Sequence, residues 1–252
     1  MEDILAVDGD IIAYRTACVC EEDWEGACRS IIDSTLRQIA TDSGISKMRI
    51  YLSGADNFRY EVAKTKPYKG NRSGMVAPKF LNYCKQYLEE KYNAIRMHGY
   101  EADDGIASDM VQSGAIHCGI DKDILQIPGR HYNYVKEEWQ EVNQDEAILT
   151  LYRQVLMGDT SDNIPGLPRV GAKTAEKVIL DPNTAASDAI NYYKQVCMDK
   201  MPEVNPFEYF CEQLQLIQMR TDVNIYEIDF DVHCIVEGSE EGFEEQEGDF
   251  YG

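Results

Sequence analysis

Short apolar runs and helical stripes alternate along the first 160 or so positions of the chain, and the alternation predicts most of its elements. Ile4-Leu5-Ala6-Val7 is a compact aliphatic run stopped by Asp8-Gly9-Asp10, the pattern of a buried strand. Ile32, Leu36 and Ile39 recur at helical spacing and Gly44 stops the pattern. Met48, Ile50 and Leu52 alternate with Arg49 and Tyr51, predicting a second strand. Ala94–His98 predicts a third and leads into Gly99-Tyr100-Glu101. Ile106, Ala107, Met110 and Val111 then mark a helix over roughly 102–113. Ala115–Gly119 predicts a fourth strand running into Ile120-Asp121, and Tyr132–Val135 a fifth. Ile148, Leu149, Tyr152, Val155 and Leu156 form a helical stripe that closes at Gly158. Beyond it the chain reads as helical until a last strand near Asn224–Phe230.

One stretch breaks the alternation. Residues 58–92 combine bases and aromatics with Pro67, Gly70, Gly74 and Pro78, predicting an exposed, partly helical excursion. Strands alternating with helices predict an α/β fold, a mainly parallel central sheet flanked by helices. Three segments follow. Residues 1–157 form the core, with the excursion at about 58–92. A helical region spans 158–236, and 237–252 reads as a solvated acidic tail. No internal repeat is visible.

Composition narrows the class. With 252 residues and 44% hydrophobic positions the chain can bury a substantial core, and it has no run of apolar residues long enough to span a membrane. Its first residues, Met1-Glu2-Asp3-Ile4, lack the regions of a signal peptide, so a cytoplasmic setting is expected. The eight cysteines are irregularly spaced, contain no C-x-x-C, and stand at no zinc-ligand spacing from His98, His117, His131 or His233. Reduced thiols are expected, and zinc is excluded.

The net charge of −21 argues against a nucleic-acid partner, since such proteins usually present a basic surface. Two features weaken the objection. Seven acids and no base fall in the last sixteen residues, so Met1–Val236 carries −14. Acids gathered around bound cations would reduce the effective surface charge further.

Asp8, Glu101 and Asp121 each follow a predicted strand. In an open parallel sheet, strand ends converge on one crevice. Asp103 and Asp104 follow Glu101, Asp123 follows Asp121, and Asp159 and Asp162 follow the last helical stripe of the core. Eight carboxylates in one crevice cannot all ionise without cations, and an oxygen-only donor set selects hard ions such as Mg²⁺ or Mn²⁺. Such clusters suit two-metal phosphoryl chemistry. Each acid also has an ordinary reading: Asp8 as a turn former or N-cap, Asp103 and Asp104 as partners of a helix dipole, Gly158–Asn163 as a polar or calcium-binding loop. It is their joint placement at strand ends that favours the site.

Gly166-Leu167-Pro168-Arg169-Val170-Gly171-Ala172-Lys173-Thr174 sets two glycines around a tight turn before a helix, with a cation at the helix start. That combination suits a helix–hairpin–helix gripping a nucleic-acid backbone; the alternative is a plain helix-joining turn. It is not a Walker loop, because Lys173 follows Gly171 by two residues. Within 58–72, Arg59, Lys64, Lys66, Lys69 and Arg72 face a single acid, Glu61, and are interleaved with Phe58, Tyr60 and Tyr68. The charge reversal suggests an anionic ligand and the aromatics suggest stacking on bases; a solvated helix face is the alternative.

Taken together, these segments resemble the 5′-nuclease (flap endonuclease-like) superfamily, especially bacteriophage 5′→3′ exonucleases and the N-terminal nuclease domain of bacterial DNA polymerase I. The resemblance rests on Ala6-Val7-Asp8-Gly9, Phe58-Arg59, Tyr68–Arg72, Tyr100–Asp104, Asp121–Gln126 and Gly158–Ala175, in order over residues 6–175. It implies a 5′-nuclease-like α/β core with a helical arch and a helix–hairpin–helix region. It also implies a first-metal set of Asp8, Glu101, Asp103, Asp104 and Asp121, and a second of Asp121, Asp123, Asp159 and Asp162. Lys69 and Arg72 would contact the scissile phosphate, with Asp121 between the two ions. Arg59, Lys69, Arg72, Gly166, Val170, Gly171, Lys173 and Thr174 would contact DNA. The implied cofactors are two Mg²⁺ ions, with Mn²⁺ as a substitute, and K⁺ at the hairpin. The implied partners are DNA 5′ ends, flaps and nicks, and RNA–DNA hybrids, bound by a monomer in a bacterial host cytoplasm. One departure stands out: the family's acid after the second strand is absent, with Ser53 near its place and Asp56 further along. Two rivals remain, a catalytically silent DNA-structure binder and a shorter PIN-type RNase.

Overall fold

The N-terminal aliphatic run is strand β1 (Leu5–Asp8), every residue of which is buried. Its neighbours follow from the same logic of short apolar runs: β2 (Lys47–Asn57), β3 (Ile95–Gly99), β4 (Ile116–Cys118) and β5 (Gly129–Asn133). The computed structural model describes residues 2–20, 24–225 and 233–234. Among them the strands form one sheet in the order β3-β2-β1-β4-β5, continued by β6 (Glu138–Val142), with β7 (His233–Cys234) pairing β2. All pairings are parallel except those of β6 with β5 and of β7 with β2. The expected α/β fold with a mainly parallel sheet is thus the fold observed.

Both faces of the sheet are covered, as a parallel sheet requires. Leu5, Val7, Ile50, Leu52 and Cys118 pack against helices α1 (Gly9–Val19), α2 (Glu25–Ser43) and α4 (Leu81–Tyr92). Ala6 and Tyr51 face the other way, onto Ile106, Ala107 and Met110 of α5 (Ala102–Ser113). A short α3 (Arg59–Val62) precedes α4. A separate apolar cluster joins α6 (Gln144–Met157), α7 (Ala172–Val178), α8 (Ala185–Lys200) and α9 (Pro206–Ile217) around Leu156, Leu167, Tyr193 and Phe210.

Three expectations change. The excursion does not extend to residue 92: α4 buries Cys84 and Leu88 against α1 and α2, so its amphipathic half is core. Strand β6 was not anticipated, because four of its five residues are exposed at the sheet edge and carry no apolar alternation. Neither Asn224 nor Ile225 is in a strand, and the remainder of the strand expected there, like the acidic tail, lies outside the described residues.

Candidate active site

Strands β1 and β4 lie side by side at the centre, and the chain runs from them towards opposite edges of the sheet. A crevice opens at such a switch point, beyond the carboxyl ends of the strands. Asp8 ends β1 and caps α1, its Oδ1 accepting from the Ile11 amide at 3.1 Å. Glu101 caps α5, placing Asp103 in its first turn. Asp121 follows β4, and Asp123 opens a 3-10 turn. Asp159 and Asp162 sit in the loop after α6. These seven predicted acids line one crevice together with Lys69, Arg72 and Asp10.

Crowding shows in their protonation. Burial, then the charges of Asp10 and Asp121, push the Asp8 carboxyl up to about 7. Burial and the neighbouring Asp8 and Asp121 lift Asp103 well above the usual carboxylate range. Burial, Asp121 and Asp159 push Asp123 up to about 6. Such a cluster carries more negative charge than it can stabilise alone, and its donors are all oxygens, the set that hard divalent cations take. Among the described residues no three such side chains stand close enough to form a ready-made metal-binding group. The bases explain part of the spacing. Lys69 pairs with Glu101 and lies 3.8 Å from Asp162, while Arg72 Nη2 donates to Asp162 Oδ1 at 2.5 Å. Burial works against the Lys69 charge, yet Glu101 and Asp162 hold its pKa above the ordinary value.

The Tyr68–Arg72 segment is fastened to the second acid loop. The Lys69 amide, in a left-handed conformation, donates to the Asp162 carbonyl at 2.9 Å. Asn71 Nδ2 donates to Thr160 O at 2.9 Å, and Asn163 Nδ2 to Pro67 O at 2.8 Å. Tyr68 is buried instead of offering its ring to a base; its hydroxyl lies 2.9 Å from Glu101 Oε2 and 2.7 Å from Asp162 Oδ2. One hydroxyl has one proton, so it donates to one of these acids at a time. Of the three aromatics in residues 58–72, Tyr60 is the exposed one.

Two assigned residues, Asp104 and Gly166, stand away from the crevice, and a third, Arg59, is held in an internal ion pair. Asp104 does not reach the crevice: it is fully buried and its oxygens accept from Arg59 at 2.6 and 2.8 Å, from the Glu101 amide and from the Arg220 amide. Arg59 lines the crevice, but its guanidinium is buried in that ion pair and donates from Nε to Leu216 O. Gly166 is also internal, its amide donating to Gln213 Oε1 at 3.0 Å and its carbonyl accepting from the Tyr209 hydroxyl at 2.6 Å. Its positive φ of 56° and its contact with Gly158 explain the glycine: a Cβ there would lie 2.3 Å from Gly158 N. Gly171 caps α7 and is exposed, as is Lys173; Val170 and Thr174 are half-buried beside them.

Sequence reasoning missed Asp10, Gln154 and Gln126. Gln154 Nε2 donates to Asp123 Oδ1 at 2.7 Å, and Gln126 joins Gln154 to the chain at Ile217 and Met219. The Asp8-Gly9-Asp10 doublet was a readable signal; the glutamines offered none. Asp56 is exposed and outside the crevice.

No protein-family model matches the chain. In sequence it is 31% identical over 197 residues to a 5′-3′ exonuclease of Buchnera aphidicola subsp. Schizaphis graminum, covering 68% of each chain. It is 32% identical over 153 residues to the 5′-3′ exonuclease of Bacillus subtilis, covering 52% of this chain and 50% of that one. It is 26% identical over 205 residues to DNA polymerase I of Bacillus caldotenax, covering 70% of this chain and 23% of the polymerase. Its fold is similar to that of the T5 D15 protein co-crystallised with metal ions, with a TM-score of 0.60, 18% identity and 86% of both chains covered. A complex of the bacteriophage T5 D15 flap endonuclease with DNA and metal ions superposes with a TM-score of 0.59 at 16% identity, again over 86% of both chains. A carboxylate crevice at the switch point of this sheet, in a chain so related, defines a nuclease. The chain belongs to the 5′-3′ exonuclease family and is a 5′-nuclease.

Proposed function

We propose that the protein hydrolyses phosphodiesters near the 5′ ends of duplex or flapped DNA, and the RNA strand of RNA–DNA hybrids, with two Mg²⁺ ions that Mn²⁺ can replace. The convergence of seven acids from four separate chain segments on one crevice, faced by Lys69 and Arg72, carries this reading. Asp8, Glu101, Asp103 and Asp121 would hold one ion, and Asp121, Asp123, Asp159 and Asp162 the other. When bound, such ions supply a water of lowered pKa and neutralise charge on the phosphate.

The chain's own residues do the remaining work. Lys69 and Arg72 sit at the crevice mouth and, on substrate entry, exchange their carboxylate partners for the scissile phosphate, stabilising the charge that develops on it. Tyr68 stands between Glu101 and Asp162 and donates its one Oη proton to either of them. Products would carry a 5′-phosphate and leave a 3′-hydroxyl. The turn from Val170 to Thr174 would hold the duplex backbone through amides and Lys173, with K⁺ on main-chain carbonyls of the hairpin. We place the protein as a monomer in a cytoplasm where DNA is replicated; among the described residues no helix is long and apolar enough to cross a membrane.

A panel of 5′-labelled flap, nicked and blunt duplexes with Mg²⁺ or with EDTA tests the reading. Mg²⁺-dependent release of 5′ products is the expected result; binding without cleavage under both conditions would favour the silent DNA-structure binder.

A further inference from the structure

The acids described so far leave one carboxylate of the crevice without a role. Asp10 lies in the first turn of α1, two residues after Asp8, and lines the same crevice. Its Oδ2 accepts from the Ser53 amide at 3.0 Å, and Lys85 of α4 reaches its Oδ1 at 2.7 Å. On the β2 side of the crevice stands Ser53, whose hydroxyl oxygen is already engaged by the Ala102 amide at 3.0 Å. Asp56, the next acid along β2, is turned to solvent. Among the described residues that line the crevice, Asp10 is the one carboxylate not already assigned to an ion.

We propose that Asp10 is an additional carboxylate of the cation-binding cluster, supplying from α1 the oxygen donors that the end of β2 lacks. Lys85 pairs with that carboxylate and fixes its direction. Its long, flexible stem lets the ammonium withdraw when a divalent ion takes its place beside Asp10. The inference rests on the reading of the crevice as a divalent-ion site.

The test measures Mn²⁺ binding by the loss of the free-ion paramagnetic resonance signal, at neutral pH and without DNA. Asp10→Asn preserves an acceptor for the Ser53 amide and removes the charge. It is expected to weaken Mn²⁺ binding by about tenfold or more, the scale of a lost metal-site partner. Lys85→Met removes the ion pair but leaves Asp10, and is expected to bind Mn²⁺ more tightly than wild type. Adding Ser53→Asp to Asp10→Asn should restore binding by returning a carboxylate to the same corner from β2. Melting curves in EDTA identify any variant that misfolds, in which case the Lys85→Met and Ser53→Asp comparisons against wild type decide: tighter binding in each supports the proposal, and unchanged binding refutes it. Wild-type affinity in folded Asp10→Asn, or equal weakening in Asp10→Asn and Lys85→Met, overturns the proposal and leaves Asp10 as an anchor for α4. Absence of Mn²⁺ binding in the wild type would overturn it together with the divalent-ion reading itself, a separate result.

Discussion

Arg59 grips Asp104 through two parallel hydrogen bonds of 2.6 and 2.8 Å, and both side chains are buried. The pair joins three parts of the chain that sequence separates widely. Arg59 begins the basic excursion, Asp104 sits in the first turn of α5 beside the crevice acids, and the Arg59 Nε and Arg220 amide bonds bring in the end of α9 and the segment after it. The desolvation of both charges is offset only while the bidentate geometry is intact.

Removing one partner should therefore cost stability first. Arg59→Met is expected to lower the unfolding free energy by about 3–5 kcal/mol, the scale of an uncompensated buried charge. Arg59→Met with Asp104→Leu should recover most of it. Urea unfolding curves measure both. If Arg59→Met unfolds like wild type and loses only DNA affinity, Arg59 is a DNA contact after all.

The Asp121 charge helps raise the Asp8, Asp103 and Asp123 carboxyls, and Asp121 belongs to both proposed ion sets. Asp121→Asn should abolish Mg²⁺-dependent turnover while anisotropy titrations with a labelled flap show near-normal binding. A cleavage rate comparable to wild type would remove Asp121 from the catalytic set.

Lys69 is held against Glu101 and Asp162 at the mouth of the same crevice. Lys69→Ala is expected to reduce the single-turnover rate by about 10²-fold or more, as for other groups that stabilise developing charge. Binding should change far less. A loss confined to affinity would make Lys69 a backbone contact only.

The buried pair His117 and His131 predicts a pH dependence of stability. His131 Nε2 donates to Ile127 O at 3.0 Å, leaving its Nδ1 to accept from His117 Nδ1 at 3.2 Å. Burial, with His131 adding to it, pushes His117 down to about 3, and burial lowers His131 as well. Because the folded-state values lie below the unfolded value of about 6.5, this contribution is complete above pH 6.5 and is lost as pH falls towards 3. The crevice acids work in the opposite direction, their folded-state values being raised. The decisive comparison is therefore between wild type and His117→Asn, which keeps a donor near Nδ1 and cannot titrate. The stability difference between the two proteins should shift in favour of the variant by up to about 1.4 kcal/mol per pH unit below pH 6.5. Parallel urea midpoints at pH 7 and pH 5 would contradict the assignment.

Strands buried on both faces announce themselves through composition, which is why β1 to β5 were legible to within a few residues. The edge strand β6 was not, since exposed residues there obey no apolar period. Acids at strand ends were readable because a parallel sheet gathers its carboxyl ends, and seven of eight converge as expected. Asp104 was not distinguishable from Asp103 in sequence: adjacent helical positions point in different directions, and only the placement of Arg59 shows which one is consumed internally. Helix α1 was hidden because its cap and first turn, Asp8-Gly9-Asp10, read as punctuation after a strand.

The contact between Gly158 and Gly166 has a mechanical consequence. Each glycine's missing Cβ is replaced by the other's backbone, within 2.3–2.4 Å of where the Cβ would be, and the Asp159–Ile164 bridge closes the loop between them. The backbone carrying Asp159 and Asp162 and the turn leading to Gly171 are thereby riveted at a common point. A displacement of the turn at Gly166 would therefore bear directly on the backbone that carries the two acids.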